Sequence, residues 1–197
     1  MFMILYFDTE TSGLHPGQIV QLSYVMQSGE SAKSKNFFFT VDNVEYGALA
    51  VHGFSVETLK KLSGGKRFSF FIEEIEKDFS LADVVVSHNT AFDFMFMREE
   101  FIRLGKTFYT KNEFCLMKNL TPICKLKRSN GAYKYPKLQE ACEYFGITDT
   151  EIKQSSKLLF GANTDFHDAR FDTTAVYLVC NYAMEKEPTF WELKNYL

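Results

Sequence analysis

Three short stretches of this 197-residue chain carry acids at spacings that could do chemistry. In the first, Phe7-Asp8-Thr9-Glu10-Thr11, two carboxylates stand two residues apart, so on an extended strand both leave the same face. Carboxylates held a few ångströms apart repel, and keeping both ionised requires a cation between them. Hard oxygen ligands of this kind suit Mg²⁺ or Mn²⁺. The second stretch is Ser87-His88-Asn89-Thr90-Ala91-Phe92-Asp93, with Asp93 in the first turn of an expected helix. The third is His167-Asp168-Ala169-Arg170-Phe171-Asp172. Five residues turn an ideal helix through about 500°, so His167 and Asp172 do not share a helix face. They converge if His167 sits on the loop before the helix and Asp172 one turn in, with Asp165 and Asp168 as candidate caps. Each stretch alone also fits ordinary structure: a polar strand end, an acid favoured by a helix dipole, a structural histidine.

The elements that must position these residues read as follows. Residues 2–8, about 18–27 and about 35–41 are rich in β-branched and aromatic residues. Gly13, Pro16, Gly17 and the polar run from Ser28 to Ser34 separate them, which predicts an antiparallel meander. Helical periods follow in Val56, Leu59 and Leu62, and in Phe71, Ile72, Ile75 and Phe79. Asp83 to Ser87 reads as a short buried strand, and residues 91–104 as a helix stopped by Gly105. Leu138, Cys142 and Phe145 line a further helix ended by Gly146, and a long helix runs from about Asp168 to Met184. Strands followed by alternating strands and helices predict an α/β fold, a mixed sheet flanked by helices. Asp8 and Asp93 then both lie just past strand C-termini, where sites gather in such sheets. Residues 1–184 are expected to form one domain and 185–197 a short tail docked on it.

Taken jointly, the three motifs resemble the DEDDh branch of the DnaQ-like 3′–5′ exonucleases. This is the branch of the proofreading exonuclease subunit of bacterial DNA polymerase III. Asp8 and Glu10 match the first family motif, His88 through Asp93 the second, and His167-x-Ala169-x-x-Asp172 the third in its histidine form. The sister branch has a tyrosine four residues before the last acid, where this chain has Asp168. Val51-His52-Gly53-Phe54-Ser55 is similar to the family's VHGIT segment, and the stretch from Tyr135 through Gly146-Ile147 to a family helix. The position five before His52, an acid in some members, is Gly47. The resemblance implies an RNase H-like fold with a five-stranded sheet of antiparallel meander plus parallel strands. It implies two divalent cations, Mg²⁺ or Mn²⁺, on Asp8, Glu10, Asp93 and Asp172, with His167 as general base. Histidine titrates near about 6.5, which suits that task. Thr9, Thr11, His52 and Asn89 are the expected substrate contacts. The implied reaction releases nucleoside 5′-monophosphates from single-stranded DNA 3′ ends, in proofreading or repair, with a polymerase as a candidate partner. An exoribonuclease trimming RNA 3′ ends is the alternative enzyme. An inactive nucleic-acid-binding scaffold is the alternative of another class, and the intact catalytic positions argue against it.

Composition narrows the remaining choices. The chain has 22 basic and 25 acidic residues, a formal charge of −3, which excludes a histone-like binder. Two bound divalent cations would bring that charge to about +1. Basic residues are unevenly placed: Lys118, Lys125, Lys127, Arg128, Lys134 and Lys137 occupy a stretch without acids, with Tyr133 and Tyr135 interleaved. Lys60, Lys61, Lys66 and Arg67 form a second cluster. Either could follow a phosphate backbone or simply be a solvated loop. No apolar run reaches the roughly 18–20 residues of a membrane span. The opening MFMILYF lacks a basic leader and reads as a buried strand rather than a signal peptide. Cys115, Cys124, Cys142 and Cys180 form no CxxC pair, so reduced thiols and a cytoplasmic location are expected.

Overall fold

A computed structural model describes residues 2–14 and 17–196; Pro16 and the tail residue Leu197 lie outside the described residues. The sheet is mixed and five-stranded, in the order β3-β2-β1-β4-β5. Strand β1 (Ile4–Thr11) pairs antiparallel with β2 (Ile19–Ser28), and β2 pairs antiparallel with β3 (Ser31–Phe38). Strand β4 (Val84–Ser87) runs parallel to β1, and β5 (Glu113–Cys115) parallel to β4. The meander is tighter than expected. Gly29 takes a positive φ of 57° that a tight turn needs, so β3 begins at Ser31 rather than near residue 35. The polar residues from Ser31 to Ser34 are edge-strand residues, not a loop.

Between β3 and β4 lie α1 (Tyr46–His52), α2 (Val56–Leu62) and α3 (Phe68–Leu81); α4 (Thr90–Arg103) follows β4. Then come α5 (Leu116–Cys124), α6 (Leu138–Phe145), α7 (Asp149–Phe160), α8 (Ala169–Lys186) and a 3₁₀ segment, Pro188–Tyr196. Strand alternation divides the core. Leu5 and Phe7 of β1 face α3 and α4, where Phe7 meets Phe79 and Phe94 edge-on at 5.2 and 5.4 Å. Ile4 and Tyr6 face the opposite layer, built on Phe171, Val176, Val179 and Cys180 of α8. Phe190 and Leu193 of the tail are buried in that second layer, Phe190 against Phe114 at 5.2 Å. The four cysteines are unpaired. No helix among the described residues is long and apolar enough to cross a membrane.

The position of α8 on the sheet is set by a polar contact inside this apolar layer. Gln21 is fully buried on β2. Its side-chain nitrogen donates to Asn36 Oδ1 at 2.8 Å and to Asp168 Oδ1 at 2.9 Å, and its oxygen accepts from the Ala169 N–H at 3.0 Å. Asp168 caps α8 by accepting from the Arg170 N–H at 3.0 Å, and the Arg170 guanidinium grips it at 2.8 and 2.6 Å. One glutamine thus pins the first turn of α8 to the middle of the sheet. Gln21→Leu would leave the buried Ala169 N–H without its acceptor and take one donor each from Asn36 and Asp168. Urea denaturation should show a loss of about 2–4 kcal/mol in unfolding free energy.

Candidate active site

The alternation that sends Ile4 and Tyr6 toward α8 sends Asp8 and Glu10 the same way, beyond the end of the apolar layer. Strand β4 is parallel to β1 with Val86 opposite Tyr6, so its carboxyl end arrives partway along β1, just short of Asp8. Asp8 thus lies within β1, which runs on to Thr11, and not past its end as expected, because pairing with β2 continues through Glu10. There the chain turns at His88-Asn89 into α4, and Asp93 occupies the fourth helical position. The Thr9 hydroxyl donates to Asp93 Oδ1 at 2.8 Å, which joins β1 to α4. Asp172 is the fourth residue of α8 and accepts from the His167 backbone N–H at 3.2 Å. His167 stands one residue ahead of the Asp168 cap, with a left-handed φ of 62° that is costly for a residue with a side chain. A cleft lined by Asp8, Thr9, Glu10, His88, Asn89, Phe92, Asp93, Leu138, His167 and Asp172 results, with a volume of about 260 Å³. All five residues expected for metal binding and base chemistry face one space.

The electrostatics of this cluster are unfavourable without a counter-ion. Burial, then the charges of Asp93, Asp172 and Glu10, hold Asp8 well above the usual carboxylate range. Burial first, then Asp172 and Asp168, pushes Glu10 up to about 8. Asp172 rises to about 7 through burial, opposed by the His167 N–H. Asp93 rises to about 6, also through burial, with the Thr9 hydroxyl opposing. The donors fit a divalent cation. Glu10, His167 and Asp172 each place a ligand atom within 4.8 Å of the other two, and the remaining donors are hard carboxylate oxygens.

The expected substrate contacts are distributed differently. The Thr9 hydroxyl is committed to Asp93, and the Thr11 hydroxyl donates to the Gly13 carbonyl at 3.0 Å. His52 ends α1 and is buried; its Nδ1 accepts from the Phe54 N–H at 3.0 Å. Its Nε2 therefore carries the proton and donates to the Thr11 carbonyl at 3.1 Å. Burial lowers its pKa. Asn89 lines the cleft. A second cavity of about 350 Å³ adjoins Glu10, and Leu14, Ala48, Val51, His52 and Phe92 give it apolar walls. Helix α1, which supplies Ala48, Val51 and His52 to this wall, is not apparent from periodicity because it is short and mostly exposed. Gln21 was also not legible as a site element. The available signal was a glutamine in a strand otherwise built to be buried.

The fold is RNase H-like, and solved structures share it over nearly the whole chain. An exonuclease I structure matches with a TM-score of 0.76 at 18% identity, covering 99% of this chain and 44% of that one. The zinc-bound form of the Escherichia coli exonuclease I–ssDNA complex matches with a TM-score of 0.75 at 18% identity, covering 98% and 42%. A moderately thermophilic exonuclease I from Methylocaldum szegediense gives 0.73 at 17% identity, covering 98% and 42%. The chain thus spans less than half the length of these exonuclease I chains. No family profile and no curated protein sequence matches it.

The raised carboxylates fix the sign of a pH effect. Unfolded Asp and Glu titrate near about 4, so between roughly pH 4 and 8 the folded chain holds protons the unfolded chain has lost. This contribution to stability is complete below about pH 4 and is lost as pH rises through the folded values, which reach about 8 at Glu10. In chelator, the melting temperature should fall between pH 5 and pH 8. Mg²⁺ should restore it at pH 8 far more than at pH 5, and Glu10→Gln should melt above the parent at pH 8 without metal. A metal-free melting temperature that is flat across this range would refute the raised carboxylates.

Proposed function

We propose that the chain is a metal-dependent 3′–5′ exonuclease acting on single-stranded DNA. The observation that carries this reading is the convergence of Asp8, Glu10, Asp93, Asp172 and His167 in one cleft where the carboxyl end of β4 meets β1. Structural neighbours that include exonuclease I bound to a dA16 oligonucleotide support it at the level of the fold. In this reading, two divalent cations held by the four acids would supply Lewis-acid stabilisation of charge on the phosphoryl oxygens.

The chain's own residues perform the rest. His167 has a ring nitrogen beside Glu10 and Asp172, and the tether from its N–H to Asp172 fixes the loop that carries it. Its exposure leaves the ring open to water at the mouth of the cleft. Its ring takes a proton from a water molecule as the water oxygen bonds to phosphorus. The bond from phosphorus to the 3′-oxygen of the preceding nucleotide breaks. That oxygen leaves as the new 3′-hydroxyl with a proton from solvent, and a nucleoside 5′-monophosphate is released. The apolar cavity beside Glu10 accommodates the terminal nucleotide against Leu14, Val51 and Phe92. His52 shapes its floor through the Thr11 carbonyl, and Asn89 offers its amide at the cleft. Proofreading or repair is the setting we infer, with a polymerase as candidate partner.

The decisive measurement is digestion of end-labelled single-stranded DNA, RNA and strands with one 3′-terminal ribonucleotide, in Mg²⁺. DNA should shorten from its 3′ end with 5′-monophosphate release, and Asp8→Ala should abolish this. His167→Asn tolerates the left-handed backbone while deleting the imidazole, and should lower kcat by about 10²–10⁴ with melting unchanged. Preferential loss of RNA would move the assignment to an exoribonuclease. Intact substrates with retained binding would move it to an inactive scaffold.

A further inference from the structure

The cleft leaves unexplained a basic projection between α5 and α6. The chain leaves α5 at Lys125, in the left-handed region with φ 51°, and folds back on itself as a narrow hairpin. Lys127 and Tyr133 form an antiparallel bridge. The Arg128 N–H donates to the Ala132 carbonyl at 2.8 Å and the Lys134 N–H to the Leu126 carbonyl at 2.8 Å. Gly131, with φ 81°, closes the tip by donating to the Arg128 carbonyl at 2.9 Å. Leu126 and Lys134 are half-buried, Lys134 paired with Glu140, while Lys125, Lys127, Arg128, Tyr133 and Tyr135 are exposed. Of the six basic residues from Lys118 to Lys137, Lys134 alone forms an ion pair among the described residues.

Two features tie this hairpin to the site. The Pro136 carbonyl accepts from His88 Nε2 at 3.1 Å, and His88 lines the cleft. Tyr135 and Tyr133 lie one and three residues from that anchor, within about 10 Å of extended chain. Leu138, two residues beyond it, is itself a wall of the cleft.

We propose that this hairpin grips the single strand upstream of the nucleotide in the cleft. Phosphates lie on Lys125, Lys127 and Arg128, and bases stack on Tyr133 and Tyr135. The word upstream rests on the nuclease reading above. A single strand, rather than a duplex, fits because a tyrosine face stacks only on bases that are unpaired and splayed. Uncompensated cations beside exposed aromatic rings are the pairing that follows such a strand without reading its sequence.

The test is fluorescence anisotropy of a labelled DNA strand of about twelve nucleotides, in chelator so that nothing is cut. Each phosphate contact on a single strand contributes about 0.7 to the slope of log affinity against log salt. The triple variant Lys125→Gln, Lys127→Gln, Arg128→Gln should bind at least ten-fold more weakly, with a slope shallower by about 2. Tyr133→Ala should weaken binding roughly five- to hundred-fold, and Tyr133→Phe should not. The conservative pair Lys127→Arg, Arg128→Lys should keep the parent slope. An unchanged slope in the triple variant, equal affinity for a duplex of the same length, or no strand binding by the parent overturns the grip. Hydrolysis in Mg²⁺ is read separately. A chain that binds through the hairpin and cuts nothing keeps the grip and loses the nuclease reading, and cleavage with an unchanged salt slope does the reverse.

Discussion

Four carboxylates forced to share one cleft are the constraint around which this molecule is built. Asp8 and Glu10 leave the same face of β1, Asp93 comes from the first turn of α4, and Asp172 from the first turn of α8. Each is displaced upward from its ordinary titration range, and burial is the leading cause in every case. Charges that water would have screened on an open surface here face one another across a small volume of low polarisability. Such an arrangement costs stability in the free chain. It is reasonable only if something positive completes it.

The fold offsets part of that cost with its own dipoles. Asp93 and Asp172 each sit at a helix N-terminus, where unpaired N–H groups carry partial positive charge. The Thr9 hydroxyl and the His167 N–H add direct hydrogen bonds to the same two acids. Asp8 and Glu10, on a strand, have no comparable dipole, and burial with the neighbouring acids pushes Glu10 up to about 8. The two halves of the site are brought together by unrelated means. Parallel pairing of β4 on β1 aligns the first two motifs, and the Gln21–Asp168 clamp holds the third against them. Loss of the clamp would free the α8 terminus without altering any of the four carboxylates, so site geometry depends on a residue outside the cleft lining.

Legibility from sequence follows the same division. Asp8 and Glu10 were readable because strand alternation is a rigid rule, and β4 because it is a short apolar run ending in a polar motif, while its parallel pairing with β1 was not. The His167–Asp172 pairing needed only the helix period and a cap. Other elements had weaker signals. Strand β5 is three residues long, α1 is mostly exposed, and Pro122 inside α5 argues against a helix there. The amphipathic period of α7 is thin, with Ile152 its one fully buried apolar residue. The β2–β3 turn was placed wrongly because Ser31 to Ser34 are polar for an edge-strand reason that mimics a loop. The family resemblance supplied the number of strands but not the position of the fifth.

The hairpin of residues 126–134 gives the acidic cleft an electrostatic complement. In the proposed reading, a phosphodiester approaching four carboxylates would meet repulsion that falls away only where cations neutralise them. That field is local, because mobile ions screen it within about 8–10 Å in physiological salt. Basic residues need not surround the cleft to compensate. They need only hold the strand where the acids' field has decayed. One hydrogen bond, from His88 to the Pro136 carbonyl, joins the base of the hairpin to the motif that carries Asp93. The negative formal charge of the chain is therefore a poor guide to what it binds. Four of its 25 acids converge where a cation can neutralise them, and five basic residues without an ion pair among the described residues, Lys118, Lys125, Lys127, Arg128 and Lys137, fall in one stretch of chain.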